Sequence, residues 1–150
     1  MLRHQSLIPL SQQHHNGLAL CVLTRRGLSK DRSVESIEKL ARRAIDRYEL
    51  ELTHHFDIEE RILFPAIRQH LGEVPLVGQL IAEHRAIEAM VGELRVDPTI
   101  PALEDLCALL TSHIRREENE LFEDAQRCMP AGALEEIGRL VAEKVIRVCL

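Results

Sequence analysis

Aromatic residues are scarce in this sequence: three Phe, one Tyr and no Trp among 150 residues, 3% in all. Leu, Ile, Val and Ala must therefore fill its core. Closely spaced cysteines are also missing. Cys21, Cys107, Cys128 and Cys149 lie far apart with no Cys-x-x-Cys pair, which argues against a thiolate zinc site or a dithiol redox motif. They read as buried or incidental thiols of a reducing compartment. No long apolar run occurs. The longest, from Leu18 to Leu23, is too short to span a bilayer or to form the core of a signal peptide. The opening Met1-Leu2-Arg3-His4-Gln5 has no secretory or transit character, so the expected compartment is the cytoplasm. An excess of positive charge is absent too. The net charge of −5 argues against nucleic acid or an anionic membrane as a partner. No nucleotide-binding loop and no nucleophile triad can be found.

What is present is an ordinary globular balance, 45% hydrophobic and 29% charged. A chain of this length is expected to bury roughly 70% of its surface, so a core can form without disulfides. It also holds eight histidines, an unusual number beside a single tyrosine.

Punctuation residues divide the chain into helices and leave no alternating pattern for strands. Ser11 can cap a first helix that stops at Arg25-Arg26-Gly27, with Gly27 just past its end. Asp31 or Ser33 can start a long second helix reaching about His70, closed by Gly72. Pro65 falls inside it, and a kink or an early end is expected there. Pro75 suits the first position of a third helix ending near Arg95. A loop from Val96 to Pro101 precedes a fourth helix to about Cys128. Beyond Pro130 and Gly132 comes a short amphipathic helix, about residues 131–148, with Leu134, Ile137, Leu140 or Val141, Val145 and Val148 on one stripe. The expectation is one all-α domain: an up-down four-helix bundle over about residues 11–128 with a short C-terminal helix.

The inward stripes carry unexpected residues. The second helix reads Tyr48, Leu52, His55, Glu59, Ile62, Ala66, and the fourth reads Leu103, Leu106, Leu110, His113, Glu117, Leu121. The third places His84 between Leu80 or Ile81 and Ile87 or Glu88. In the first, His15 precedes Leu18 and Val22. An unpaired carboxylate in an apolar core is costly, and no Arg or Lys lies on these stripes to neutralise Glu59 or Glu117. A multivalent cation would. Residues four apart share a helix face, so His55 with Glu59, and His113 with Glu117, can each reach one centre. Four imidazoles and two carboxylates exceed what one zinc needs and suit a dinuclear site, with iron or manganese favoured by the mixed donors.

An internal repeat supports this reading. Residues 53–64 align without gaps on residues 111–122, matching threonine, histidine, two glutamates, leucine and phenylalanine. More weakly, His15, Leu18 and Val22 match His84, Ile87 and Val91. Two helix pairs imply a pseudo-twofold bundle with the site on its axis. His14 competes with His15 for the same face; the match to Glu83-His84-Arg85-Ala86-Ile87 favours His15. Glu60 and Glu118 read as solvated groups or as acceptors for imidazole N–H donors. His4 and His70 carry no pattern, and His54 points away from His55. Glu51-x-x-His54 matches half of a ferritin-like Glu-x-x-His pattern that has no second copy. Phe64 and Phe122 read as packing that seals the bundle.

His15, His55-Phe-Asp-Ile-Glu59-Glu60, Leu63-Phe64-Pro65, Glu83-His84-Arg85-Ala86-Ile87 and His113-Ile-Arg-Arg-Glu117-Glu118 together resemble a hemerythrin-like (HHE) domain of the bacterial type, over residues from about 7 to 128. The resemblance implies a cofactor of two iron ions, an oxo- or hydroxo-bridged diiron centre with two bridging carboxylates. The metal ligands expected are His15, His55, Glu59, His84, His113 and Glu117. It also implies chemistry with dioxygen, nitric oxide or peroxide. Two departures stand out. Respiratory hemerythrins carry a histidine one turn after the third ligand, where this chain has Glu88. They also carry an aspartate five residues after the last histidine, where this chain offers Glu117 at four and Glu118 at five; repeat symmetry favours Glu117. The missing imidazole argues against simple reversible oxygen carriage and toward iron-repair, sensing or peroxide-reducing members. The expected function is a non-heme diiron protein that reacts with or senses a small oxidant, whether as an oxidoreductase or as a sensor or storage protein acting through a homodimer or another partner. A metal-free structural bundle is the remaining alternative.

Overall fold

The computed structural model describes residues 1–145. A 3-10 turn, Gln5–Leu7, leads into helix α1, Ile8–Lys30. Helix α2 covers residues 34–71 without a break. Helix α3 is Pro75–Val96, α4 covers residues 100–128, and α5 is Ala131–Lys144. No strand occurs among the described residues, and none of these helices is long and apolar enough to cross a membrane. Neighbours pack in the cyclic order α1–α2–α3–α4–α1, an all-α bundle with short connections. The stripe position Val145 falls just beyond α5 and packs against the core; Val148 lies outside the described residues.

Most helix ends obey local chemistry. The Ser33 hydroxyl accepts from the Ser36 N–H and caps α2, while Gly72, at φ 76°, closes it in a conformation glycine adopts freely. Pro75 begins α3, where its missing N–H costs nothing. Helix α1 departs from expectation at both ends. It starts at Ile8 with Pro9 in its first turn rather than at Ser11, and it runs through Gly27 to Lys30. Gly27 is a packing position, not a stop: a Cβ there would sit 2.9 Å from Leu40 Cδ2.

Three widened, π-helical turns interrupt the long helices: Tyr48–Leu52 and Glu59–Leu63 in α2, and Glu117–Leu121 in α4. In each, the next N–H reaches back five residues, as from Phe64 to the Glu59 carbonyl and from Phe122 to that of Glu117. Each turn adds a residue and slips the apolar stripe. Past Glu59, the buried residues are therefore Leu63, Phe64 and Ile67 rather than Ile62 and Ala66. Nor does α2 end at Pro65; the wide turn directly before it absorbs the break. The turn at Glu117–Leu121 has no proline after it, so what the two turns share is the glutamate at their start, not the proline. Such turns recur at functional sites.

The core is divided in two. One cluster joins Leu7, Leu10, Phe64, Ile67, Leu80 and Phe122 to Leu134, Ile137 and Val141 of α5. The other holds Leu28, Leu40, Ile87, Leu94, Leu103 and Leu110 at the opposite end. Each fully buried aliphatic side chain contributes about 1.5–3 kcal/mol. Between the two clusters lies a polar layer.

Candidate metal centre

That layer comprises His14, His55, Glu59, His84, His113 and Glu117, each between 0 and 3% exposed. All four imidazole Nε2 atoms and all four carboxylate oxygens are buried without a partner in hydrogen-bonding geometry. Yet they converge. Glu117 Oε2 lies 2.9 Å from His14 Nε2, while its Oε1 lies 2.5 Å from His113 Nε2. Glu59 Oε1 lies 3.3 Å from both His55 Nε2 and His84 Nε2, and its Oε2 is 3.8 Å from His14 Nε2. The donors fall into two groups, His14, His55, Glu59, Glu117 and Glu59, His84, His113, Glu117, with ligand atoms within 4.8 Å of one another in each. Two imidazoles belong to each group, and both carboxylates belong to the two together.

His15, expected in this set, is not part of it. It lies exposed on α1, and His14 occupies the layer instead. The repeat explains the difference once its register is moved by one residue: His14 then matches His84, Gln13 matches Glu83, and exposed His15 matches Arg85. The apolar match that favoured His15 used Leu18 and Val22, but Val22 is 44% exposed. The inward face of α1 is His14, Gly17 and Cys21. The structure brings His55, Glu59, His84, His113 and Glu117 together as expected from the sequence.

Around the layer, every imidazole presents Nδ1 to an acceptor. His14 Nδ1 meets Glu118 Oε1 at 2.7 Å, His55 meets Gln13 Oε1 at 2.6 Å, and His84 meets Glu60 Oε2 at 2.8 Å. His113 Nδ1 lies 3.4 Å from Glu83 Oε2. With Nδ1–H donating outward, each Nε2 faces the centre and offers a metal its lone pair once deprotonated. Arginines hold the carboxylates in turn. Arg3 donates to Glu118 Oε2 at 2.7 Å, Arg116 donates to Glu83 Oε1 at 2.6 Å, and Arg85 binds Glu60. Sequence reasoning anticipated Glu60 and Glu118 in this role but not Gln13, Glu83 or the arginines. Their signal lay in the repeat, one position before His14 and His84. Glu88 points outward and pairs with Arg85, away from the centre. His54 bonds the Lys144 carbonyl and ties α2 to α5.

The protonation of the layer follows from its crowding. Burial alone would lower the pKa of His14, but the Glu117 carboxylate beside Nε2, the hydrogen bond to Glu118 and nearby Glu59 raise it well above the usual imidazole range. Burial likewise opposes the charge on His84, and Glu117 with Glu59 overrides it, raising its pKa to about 10. Burial would raise Glu59; the charge of His55 and the close approach of Glu117 and His14 hold it well below the carboxylate norm. Glu117 is pushed up by burial and by Glu59, and His113 returns it below its ordinary value. Without metal, protons on histidines compensate the two carboxylates.

The residues fit a bound metal ion: eight orphaned donor atoms, fixed ring orientations and no thiolate. Comparison with curated proteins and with solved structures finds no match. A family description, the hemerythrin HHE cation-binding domain, matches residues 9–125. With this match spanning most of the chain, and with buried His/Glu groups compatible with a metal ion, the protein belongs to the hemerythrin HHE cation-binding family.

Proposed function

We propose that the protein binds two iron ions, one between His14 and His55 and the other between His84 and His113, with Glu59 and Glu117 shared. One observation carries this reading: both oxygens of both glutamates and all four Nε2 atoms are buried, convergent and unpartnered. Imidazole with carboxylate is a donor set suited to iron. When bound, such a pair supplies electron exchange with a small oxidant, of the class of dioxygen, nitric oxide or peroxide.

The chain's own residues prepare the site. Glu118, Gln13, Glu60 and Glu83 orient the four rings. Phe122 stacks on His14 at 5.3 Å between centroids, and Phe56 and Phe64 flank His84 at 3.9 and 5.8 Å. These rings keep water from the layer and lower its dielectric, strengthening every charge interaction inside it. Glu60 and Glu118, both 22% exposed, face the layer on one side and solvent on the other, so they can pass protons between the imidazoles and water.

The test is the iron content and optical spectrum of aerobically purified protein. The reading expects about two irons per chain and the absorption of a coupled ferric pair. Stable protein that takes up no iron would refute it. Turnover of peroxide or nitric oxide by the loaded protein then separates an oxidoreductase from a sensor.

A further inference from the structure

The two halves of the layer are related by the repeat, yet their surroundings differ in one direction. On the α1–α4 side, Gly17 lets the helices close up: a Cβ there would sit 2.9 Å from Ile114 Cδ1. The same Cβ would also touch Leu110 Cδ2 at 3.9 Å, so two α4 side chains fill the space beside Gly17 on this seam. On the α2–α3 side, the equivalent of Ile114 is Phe56, the equivalent of Gly17 is Ile87 and that of Leu18 is Glu88. Here an open cleft of about 550 Å³ runs down to the layer, lined by Tyr48, Phe56, Glu60, His84, Arg85 and Glu88. The π-helical turn Tyr48–Leu52 borders it and has no counterpart in α4, where residues 106–110 are regular α-helix. An added residue on one helix only, a glycine on the other seam only, and a glutamate in place of a packed leucine all open the same side.

Phe56 packs over the His84 and His113 rings at the floor of this cleft. It is 5% exposed, stacks on His84 at 3.9 Å and meets the His113 ring edge-on at 5.7 Å. No hydrogen bond holds a phenyl ring, so a side-chain rotation is enough to uncover the imidazoles beneath. The mouth is anionic. Glu49, Asp57, Glu60 and Glu88 line it, with Arg85 beside Glu60 and Glu88, and Arg95 and Arg61 paired with Glu49 and Asp57, an acidic lining that favours neutral solutes over anions.

Resting on the metal-pair reading, we propose that uncharged small molecules reach the centre from one side, through the α2–α3 cleft, and that Phe56 is the residue that admits them and limits their size. Entry is thereby directed to the His84–His113 half, with Glu88 beside the mouth.

Two measurements test this. In reduced, iron-loaded protein, Phe56→Ala is expected to raise the bimolecular rate of nitric oxide binding about tenfold, as for removal of a gating group, while the mirror variant Ile114→Ala changes it less than twofold. Phe56→Leu, which preserves apolar volume, is expected to fall between and covers a failure of the alanine variant to fold. Equal acceleration by both mirror variants, or none from either Phe56 variant, would overturn the proposal. The second measurement needs no metal and so is independent of the function assigned above. Dissolved dioxygen should broaden the ring-proton resonances of His84 more than those of its mate His14 in metal-free protein, and Phe56→Leu should enlarge the difference. Equal broadening of the two rings would overturn the proposal even if two irons bind.

Discussion

Truncating two adjacent histidines should have opposite consequences. His14 is 3% exposed, with Nε2 2.9 Å from Glu117 Oε2 and its ring stacked on Phe122. His15 is exposed one residue later. His14→Ala leaves a cavity beneath Phe122 and strips Glu118 of its partner, at a cost of about 2–4 kcal/mol, in the range for large buried side chains. For a chain of this size that lowers the melting temperature of metal-free protein by about 4–16 °C. His15→Ala changes stability by less than about 0.5 kcal/mol, as exposed substitutions do. Metal widens the contrast. At a free concentration a thousandfold above its dissociation constant, one ion stabilises the wild type by about 4 kcal/mol. In His14→Ala, one half of the centre keeps two carboxylates and a single imidazole, so the contribution of that ion is lost and bound metal falls from two per chain to one. The assay is calorimetric melting with and without metal, combined with metal analysis. Full loading of His14→Ala alongside depleted loading of His15→Ala would refute the assignment.

Other outcomes follow from the surroundings of the layer. Glu118→Gln and Glu60→Gln remove the charged acceptors of His14 and His84, and each should weaken metal binding about 10–100-fold in competition with a chelator. Gly17→Leu forces a side chain against Ile114 and should destabilise by about 1–3 kcal/mol in denaturant titration. By contrast, Gly92→Ala, on α3 with open space around it, should stabilise by about 0.5–1 kcal/mol through helix propensity. Because the pKa values of His14 and His84 are raised in the metal-free protein, both carry protons at neutral pH that a metal must displace. Binding should therefore release protons, seen as a buffer-dependent calorimetric heat, and affinity should rise with pH through neutrality.

The helices were legible in the sequence because their stripes and breakers agreed, and so was the repeat that paired His55 and Glu59 with His113 and Glu117. Two physical features hid the rest. A widened turn inserts one residue without any compositional mark, so Ile62 and Ala66 looked inward where Leu63, Phe64 and Ile67 are buried. On α1, the residue that faces the α4 seam is Gly17, and a glycine gives no hydrophobic signal even where it permits the closest packing. With that position silent, Leu18 and Val22 drew the register one residue too far and brought His15 forward in place of His14. The four ring acceptors sit on different helices from the rings they hold. Glu60 and Glu118 were legible as acceptors, but which ring each of the four holds emerges only from tertiary packing.

Titrating metal-free protein with ferrous iron under anaerobic conditions, followed by Mössbauer spectroscopy after oxidation, tests the shared-carboxylate centre most directly. The account predicts saturation at two irons per chain, magnetically coupled through Glu59 and Glu117. Saturation at one iron, or two irons with no magnetic coupling, would contradict it.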